Sequence, residues 1–473
     1  MKKLTLMFAV LLGLCSARAE SQNKAGIGEA GAESPAAKEA PLYLLPSGPE
    51  GSARFGAYYT TLEYDPAWDK PWRIGEYADV VVRFDDGGHR FVFWRGTSYI
   101  PHWVTENGIW YNNEFLERRS RSTGLKGCVE PMSDKQCRYS HVRIIESNDA
   151  RVVVHWRYAP VNVEYLHPYI DEESGWGDWV DEVYTLYPDG TGARKATLHT
   201  TKPDDFSEWH EAIIVNQPGT MPEDNIEATA VSLANLKGET RHYTWTEEGG
   251  PKEFQNVPEN CAIQMVNLKS TRKPFSIVDP EGLRMTVFKG HAPDSIFHHW
   301  DHWPVSQDKL STRVAASADR PSHSSLFNLR NWREYARTEN SITRLMLHGL
   351  TDKDAGGLVP LARSWLNPPA LKGGDGQYDP TERAYLLAGD ARDLEGALTF
   401  NIAADEQHPL VNPAFVVKNW GEAEAALEIN GDGIPRGPAF RYGHRFSQEG
   451  TDLIVWVQVE ATVDTAFRIT PVR

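Results

Sequence analysis

The sequence predicts an all-β fold, a large antiparallel β-sandwich of the supersandwich kind followed by a small C-terminal β-sandwich. Three observations point there. Short runs alternating apolar and polar residues recur along the chain, each broken by a turn-forming cluster, which is the period-two pattern of half-buried antiparallel strands. Helical periodicity is confined to two brief stretches. No repeat of about 40–50 residues is evident, which leaves a β-propeller as the alternative rather than the first choice.

Taken in order, Val80–Phe84 meets Arg90–Trp94 across Asp85–His89, and Tyr139–Ile145 meets Arg151–Tyr158 across Ser147–Asp149. Asp181–Tyr187 then meets Gly192–His199 across Pro188-Asp189-Gly190, and Glu208–Val215 follows. Hairpins in succession read as a long meander. Pro222–Leu236 reads as a capped helix with Ala228–Leu236 as its body, and Leu358–Leu366 as a short helix stopped by Pro368-Pro369. Lys372-Gly373-Gly374-Asp375-Gly376 reads as a linker. It sets a boundary near residue 370, between a main β-domain over 41–370 and a second over 371–473, where strands resume at Ala384–Leu387 and run to Leu453–Val457.

The N-terminus carries Lys2 and Lys3, an apolar run Leu4–Leu14 and the small-x-small triplet Ala17-Arg18-Ala19. That is the pattern of a secretory signal peptide over 1–19, cleaved after Ala19, and it predicts a secreted or periplasmic protein. Cys15 raises a lipoprotein, but Leu14 precedes it where a small residue is wanted. Residues 20–40, rich in Ala, Glu, Gly and Ser without aromatics, read as a disordered leader. No later stretch approaches the roughly 20 apolar residues of a membrane span.

The net charge is -16, and it becomes -19 once Lys2, Lys3 and Arg18 leave with the signal. Bulk electrostatics therefore offers no attraction to nucleic acid or to an anionic membrane. An anionic ligand must be held by local Arg, Lys and His. Cys128 and Cys137 stand close enough in sequence to pair, leaving Cys261 as a small buried hydrophobe.

Four segments hold the residues able to do chemistry. Phe93–Glu114 crowds Trp94, Arg95, Tyr99, His102, Asn107, Trp110 and Tyr111 into one stretch with few aliphatics. Aromatic faces stack on sugar rings, while Arg, Asn and His bind hydroxyls and carboxylates. Tyr139–Arg143 faces His155–Tyr158 in the second segment. A four-residue turn at 147–150 would pair residue 142 with 155 and put His141 and Arg143 on the face opposite His155 and Arg157; the first pair is favoured because Tyr139 joins it. In the third, Glu182 and Tyr184 project to one side of a strand that begins near Trp179, with His210 on the next. The fourth is Phe297–Pro304, where His298, Asp301 and His302 suggest a structural divalent metal, although their spacing fits no standard ligand motif. Nothing calls for an organic cofactor. Aromatics filling a sandwich core, and a plain polar sheet face, are the bland readings of the same residues.

Three strings are distinctive: 93–108 (FWRGTSYIPHWVTENG), 130–141 (EPMSDKQCRYSH) and 302–307 (HWPVSQ). They resemble a group of exported ulvan-degrading polysaccharide lyases, polysaccharide lyase family 40, over most of residues 75–370. The resemblance implies β-elimination on an anionic, sulfated, uronate-containing polysaccharide. In that reaction a base removes the proton at C5, a cation or strong hydrogen-bond donor neutralises the carboxylate, and an acid protonates the leaving oxygen at C4. Chemistry assigns His141 as base, Tyr184 as acid, Arg143 and Asn107 to the carboxylate, and His102 as alternate base or neutraliser. Trp94, Tyr99, Tyr111, Trp179 and His210 would contact sugars, and Arg95 a sulfate or carboxylate. The rivals are a glycoside hydrolase using Glu106, Glu114 or Glu182, and a non-catalytic carbohydrate-binding protein.

Overall fold

The computed structural model describes residues 54–63, 77–113, 115–290, 294–303, 314, 316, 320–389, 392–393 and 396–472. The expected signal peptide and leader lie outside the described residues. Among those described, no helix is long and apolar enough to cross a membrane.

The fold is all-β, as the alternation predicts. A nine-stranded sheet runs in the order Gly56–Thr60, Asp79–Arg83, Arg90–Phe93, Pro101–Val104, Trp110–Asn112, His210–Asn216, Ser322–Arg330 and Arg284–Val287, with His298–Trp300 also paired to Ser322–Arg330. A ten-stranded sheet runs Thr240–Tyr243, Ile226–Asn235, Cys261–Leu268, Lys273–Ile277, Ser341–Thr351, Thr191–His199, Trp179–Leu186, Val152–Tyr158 and His141–Ser147, with Glu334–Thr338 beside Ser341–Thr351. Two sheets of this breadth, packed face to face, are a sandwich and not a ring of four-stranded propeller blades.

The predicted hairpins form, but not as one meander. The chain builds part of the nine-stranded sheet, crosses to the ten-stranded one at His141, returns at His210 and crosses again at Ile226. Helix Val359–Leu366 forms where predicted. The other predicted helix is only one turn, Pro222–Asn225, after which Ile226–Asn235 is a strand. This strand lies between Thr240–Tyr243 and Cys261–Leu268, and backbone pairing on both sides overrides the helix preference of its alanines.

The inner faces meet through Phe91, Phe93 and Trp103 on one sheet and Tyr184 and His348 on the other. Trp103 Nε1 donates to His348 Nδ1 at 2.8 Å. Beyond residue 370, two five-stranded sheets enclose their own core around Phe400, Phe415 and Phe467. Ala150 and Tyr187 pack with Ala384, Val416, Ile454 and Trp456, and Arg151–Glu382 and Arg383–Asp189 ion pairs tie this part to the main sandwich.

Candidate active site on the outer face of the nine-stranded sheet

Alternation along each strand and the register between strands decide which side chains share a face. Asn112 stands opposite Ile213, Ile213 opposite Ser325, and Ser325 opposite His298. One step along, Val104, Trp110, Val215, His323 and Trp300 form the next row. His102 lies two residues from Val104 and so joins Asn112 on this face, while its neighbour Trp103 points into the core. The face looks away from the ten-stranded sheet.

Chain segments distant in sequence cover it. The edge of Trp303 meets His102 at 5.2 Å between ring centroids, and Trp303 also packs on His323 at 5.2 Å. Trp300 stacks against His323, His302 meets the same ring edge-on, and Trp110 lies 4.9 Å from His102. Two of the distinctive strings, 93–108 and the start of 302–307, thus meet at His102 and Trp303. Residues 304–307 lie outside the described residues.

Two imidazoles here are locked in one tautomer. His102 Nδ1 donates to the Ile100 carbonyl at 2.8 Å, and His323 Nδ1 donates to that of His302 at 2.7 Å. Each Nε2 is left with its lone pair. His102 Nε2 has no hydrogen-bond partner among the described residues. Burial pushes the His102 pKa down to about 3, against the small upward pull of the Ile100 carbonyl. Burial, joined by His302, His298 and His299, lowers His323 as well. Among the described residues, the side-chain amide atoms of the fully buried Asn112 have no partner, and neither do Trp110 Nε1 and Trp303 Nε1. Leaving such a group unmade costs about 1–3 kcal/mol, so their concentration on one face marks a place built for polar contact.

A carboxylate cluster adjoins this row. The short ribbon of Glu117–Arg118 with Ser207–Glu208 sets Glu117 opposite Glu208, and the pairing of Arg118 with Val129 brings Cys128 and Glu130 alongside. Arg119 Nη2 binds Glu208 at 2.9 Å, and Asn328 donates to Glu208 at 2.5 Å. Glu211, opposite Asn328, interacts with Ser325, whose Oγ also accepts from Trp300 Nε1 at 2.9 Å. Burial comes first in raising Glu117 and Glu211 well above the usual carboxylate range, and neighbouring carboxylates add to it: Glu130, Glu208 and Glu211 for Glu117, Glu208 and Glu130 for Glu211. Glu117, Cys128, His298 and Trp300 at the rim keep partial exposure.

The structure does not gather the five residues first assigned to catalysis. Tyr184 is 1% exposed in the sandwich core, where its hydroxyl bonds Glu182; burial and that carboxylate raise its pKa far above normal. Glu182 is itself taken up by Arg194, at 2.6 and 2.7 Å, and by the Tyr158 hydroxyl at 2.8 Å. Asn107 sits in an exposed loop, bonded to Thr105 and the Lys269 carbonyl. His141 and Arg143 lie on the opposite outer face of the molecule, on the edge strand of the ten-stranded sheet. Only His102 of the five stands on the face described here.

The other assignments divide in the same way. Tyr111 and His210 point inward; His210 Nδ1 donates to the Asn113 carbonyl at 2.9 Å, and burial lowers its pKa to about 3. Arg95 is buried, bonded to the Tyr77 carbonyl and paired with Asp79. Trp94 packs on Trp110, Tyr99 is buried, and Trp179 is half-buried on the ten-stranded sheet. Of the hydrolase carboxylates, Glu106 is exposed and Glu182 is in the core, while Glu114 lies outside the described residues. His298, Asp301 and His302 do not close around an ion: His298 faces Ser325 while His302 turns to His323. Among the described residues, Glu117, Cys128 and Glu130 are the three whose ligand atoms lie within 4.8 Å of one another. No disulfide joins Cys128 to Cys137; Cys137 Sγ contacts the Arg95 carbonyl at 3.3 Å instead.

The predicted register of the 139–158 hairpin also changes. Val142 pairs with Trp156, and an irregularity between Ile144 and Glu146 accommodates one extra residue. A one-residue bulge flips every side chain beyond it, so His141 and Arg143 share a face with Arg157 and His155 instead of opposing them. His323 joins the 297–304 segment, as its sequence allows, but the meeting of that segment with Asn112, Ser325 and Glu211 is not foreseen from the sequence. Their common signal, polar residues inside otherwise apolar strands, is visible at Asn112 in Trp110-Tyr111-Asn112 and at His323-Ser324-Ser325.

No family model matches the chain, and no curated protein does. Among solved structures it is similar to galactose 1-epimerase from Lactobacillus acidophilus NCFM, at 9% identity and a TM-score of 0.27, over 63% of this chain and 99% of that one.

Proposed function

We propose that the protein is a polysaccharide lyase that cleaves a uronate-containing anionic glycan by β-elimination on the outer face of the nine-stranded sheet. The observation that supports this reading is the pairing on one face of two buried groups without a hydrogen-bond partner among the described residues, the Nε2 lone pair of His102 and the side-chain amide of Asn112. The sulfated, ulvan-like identity of the glycan and the export of the enzyme follow from the sequence resemblance and the N-terminal pattern.

In this mechanism Asn112 donates to the uronate carboxylate, withdrawing charge and acidifying C5–H. His102 Nε2 takes the C5 proton, the C4–O4 bond breaks as the C4–C5 double bond forms, and the Glu211 carboxyl, whose pKa burial and neighbouring carboxylates raise, supplies the proton to O4. Burial is what lowers the His102 pKa; a carboxylate bound beside it would favour the imidazolium and make it a stronger base. Trp300, partly exposed at the rim, offers an apolar face to the sugar.

The test is incubation with a panel of uronate polysaccharides, following ultraviolet absorbance and reducing ends together. Elimination raises both. Reducing ends without absorbance indicate hydrolysis, and retention of polymer with neither indicates a binding protein; either result refutes the lyase.

A further inference from the structure

The outer face of the ten-stranded sheet is covered over only part of its width. Helix Val359–Leu366 packs Val359, Ala362 and Trp365 on Ile263, Met265, Leu345 and Leu347. The other part, from His141–Ser147 to Thr191–His199, is covered by the C-terminal sheets at its Arg151–Tyr187 end and stays open at the end of His141, Arg157, Trp179 and His199, where it carries the residues that the bulge near Ile145 aligns. Arg143 donates from Nε to His155 Nδ1 at 3.2 Å, and His155 Nε2 meets Asp181 at 2.7 Å. His199 reaches the other oxygen of Asp181 at 3.0 Å, and Arg157 stands 3.8 Å from it. His155, His199 and Arg157 together overcome the effect of burial and hold the Asp181 carboxyl well below its usual range.

Aromatic rings continue the same face. The Arg157 guanidinium lies 5.2 Å over Trp179, and Trp179 packs on Tyr139 at 6.0 Å and on Trp176 at 5.7 Å. Trp176 is 60% exposed, an unusual position for so large an apolar side chain. The charge is the opposite of the molecule's. In a chain of net charge -16, this face sets Arg143, Arg157, His141, His155 and His199 against one carboxylate, Asp181. No carboxylate pairs with Arg143 or His141 among the described residues. The acidic turn Asp171–Glu173 bounds the face beside Trp176 and does not interrupt the strands. Four strands at roughly 4.8 Å spacing give it a width of about 14 Å.

We propose that this face is an accessory binding site for an anionic polysaccharide chain, separate from the His102 face. Guanidinium groups bind carboxylate and sulfate by paired hydrogen bonds, and Trp176 with Trp179 offers a stacking platform for the sugar between them. The site would keep a long polymer on the enzyme between cuts. It rests on the lyase reading only for the benefit it gives, not for the binding itself.

The test is affinity electrophoresis of the whole protein through gels containing ulvan, with neutral dextran as control. Ulvan is expected to retard the wild type and dextran not, with the retardation falling as sodium chloride is added. Arg143→Ala/Arg157→Ala should weaken the apparent affinity at least tenfold and Trp176→Ala severalfold. These side chains are exposed or at the surface, so circular dichroism should be unchanged. His102→Ala should be retarded like the wild type. An unretarded wild type, or a double variant retarded as strongly as the wild type, overturns the proposal. Retardation without any elimination product refutes the lyase and leaves the accessory site standing.

Discussion

Trp303 stands edge-on to His102, ring centroids 5.2 Å apart, and so joins two segments two hundred residues apart in sequence. Trp303 is 1% exposed and also packs on His323. Removing it should open a cavity between two imidazoles. Trp303→Ala is expected to cost about 3–5 kcal/mol of stability, and Trp303→Phe, which keeps a ring edge against His102, much less. Denaturant melts of both variants check this; equal losses would mean the contact is not what holds the covering segment.

The Glu182–Arg194 pair, sealed with Tyr158 and Tyr184, is structural. Replacing one partner leaves a buried charge, so Glu182→Gln should destabilise the fold by about 3–5 kcal/mol. Tyr184→Phe should cost about 1 kcal/mol and leave the rate per folded molecule unchanged. A large loss of turnover in folded Tyr184→Phe would return Tyr184 to the reaction.

Which parts of this were legible in the sequence depended on the kind of interaction. Alternation within Val80–Phe84 or Asp181–Tyr187 is local, and so were their hairpins. Ile226–Asn235 was misread because it is buried on both faces from Ala230 onward, which erases the period-two signal and leaves only helix-favouring alanines. Tyr184 and Glu182 do share a face, but which way that face looks depends on Arg194 of the neighbouring strand, a partner that turns a polar pattern into core. The bulge near Ile145 has no marker residue. The meeting of His102 with Trp303 is a product of topology alone.

The pH dependence of stability has a definite sign for the carboxyl cluster. Glu117 and Glu211 have folded pKa values above their unfolded ones, so their contribution is fully present below the unfolded carboxyl range and is lost as pH rises through the raised folded values. Glu211→Gln, neutral at every pH, should therefore gain stability relative to wild type as pH increases. Thermal melts across pH 4 to about 9 would show the gap widening upward; a gap widening toward acid would contradict the assignment.

The thiols give a covalent check. Cys128, Cys137 and Cys261 should all alkylate after denaturation without reductant, as read by peptide mass. A peptide pair linking Cys128 to Cys137 would contradict the arrangement of the 128–137 loop.

The initial rate of ultraviolet absorbance increase on ulvan, compared among wild type, His102→Ala and His141→Ala, each confirmed folded, separates the two faces. His102→Ala is expected to lose about 10²–10⁴-fold, the usual worth of a positioned base, and His141→Ala to stay near the wild-type rate on short fragments. A His102→Ala enzyme as fast as wild type, or a His141→Ala enzyme without activity, would place the chemistry elsewhere.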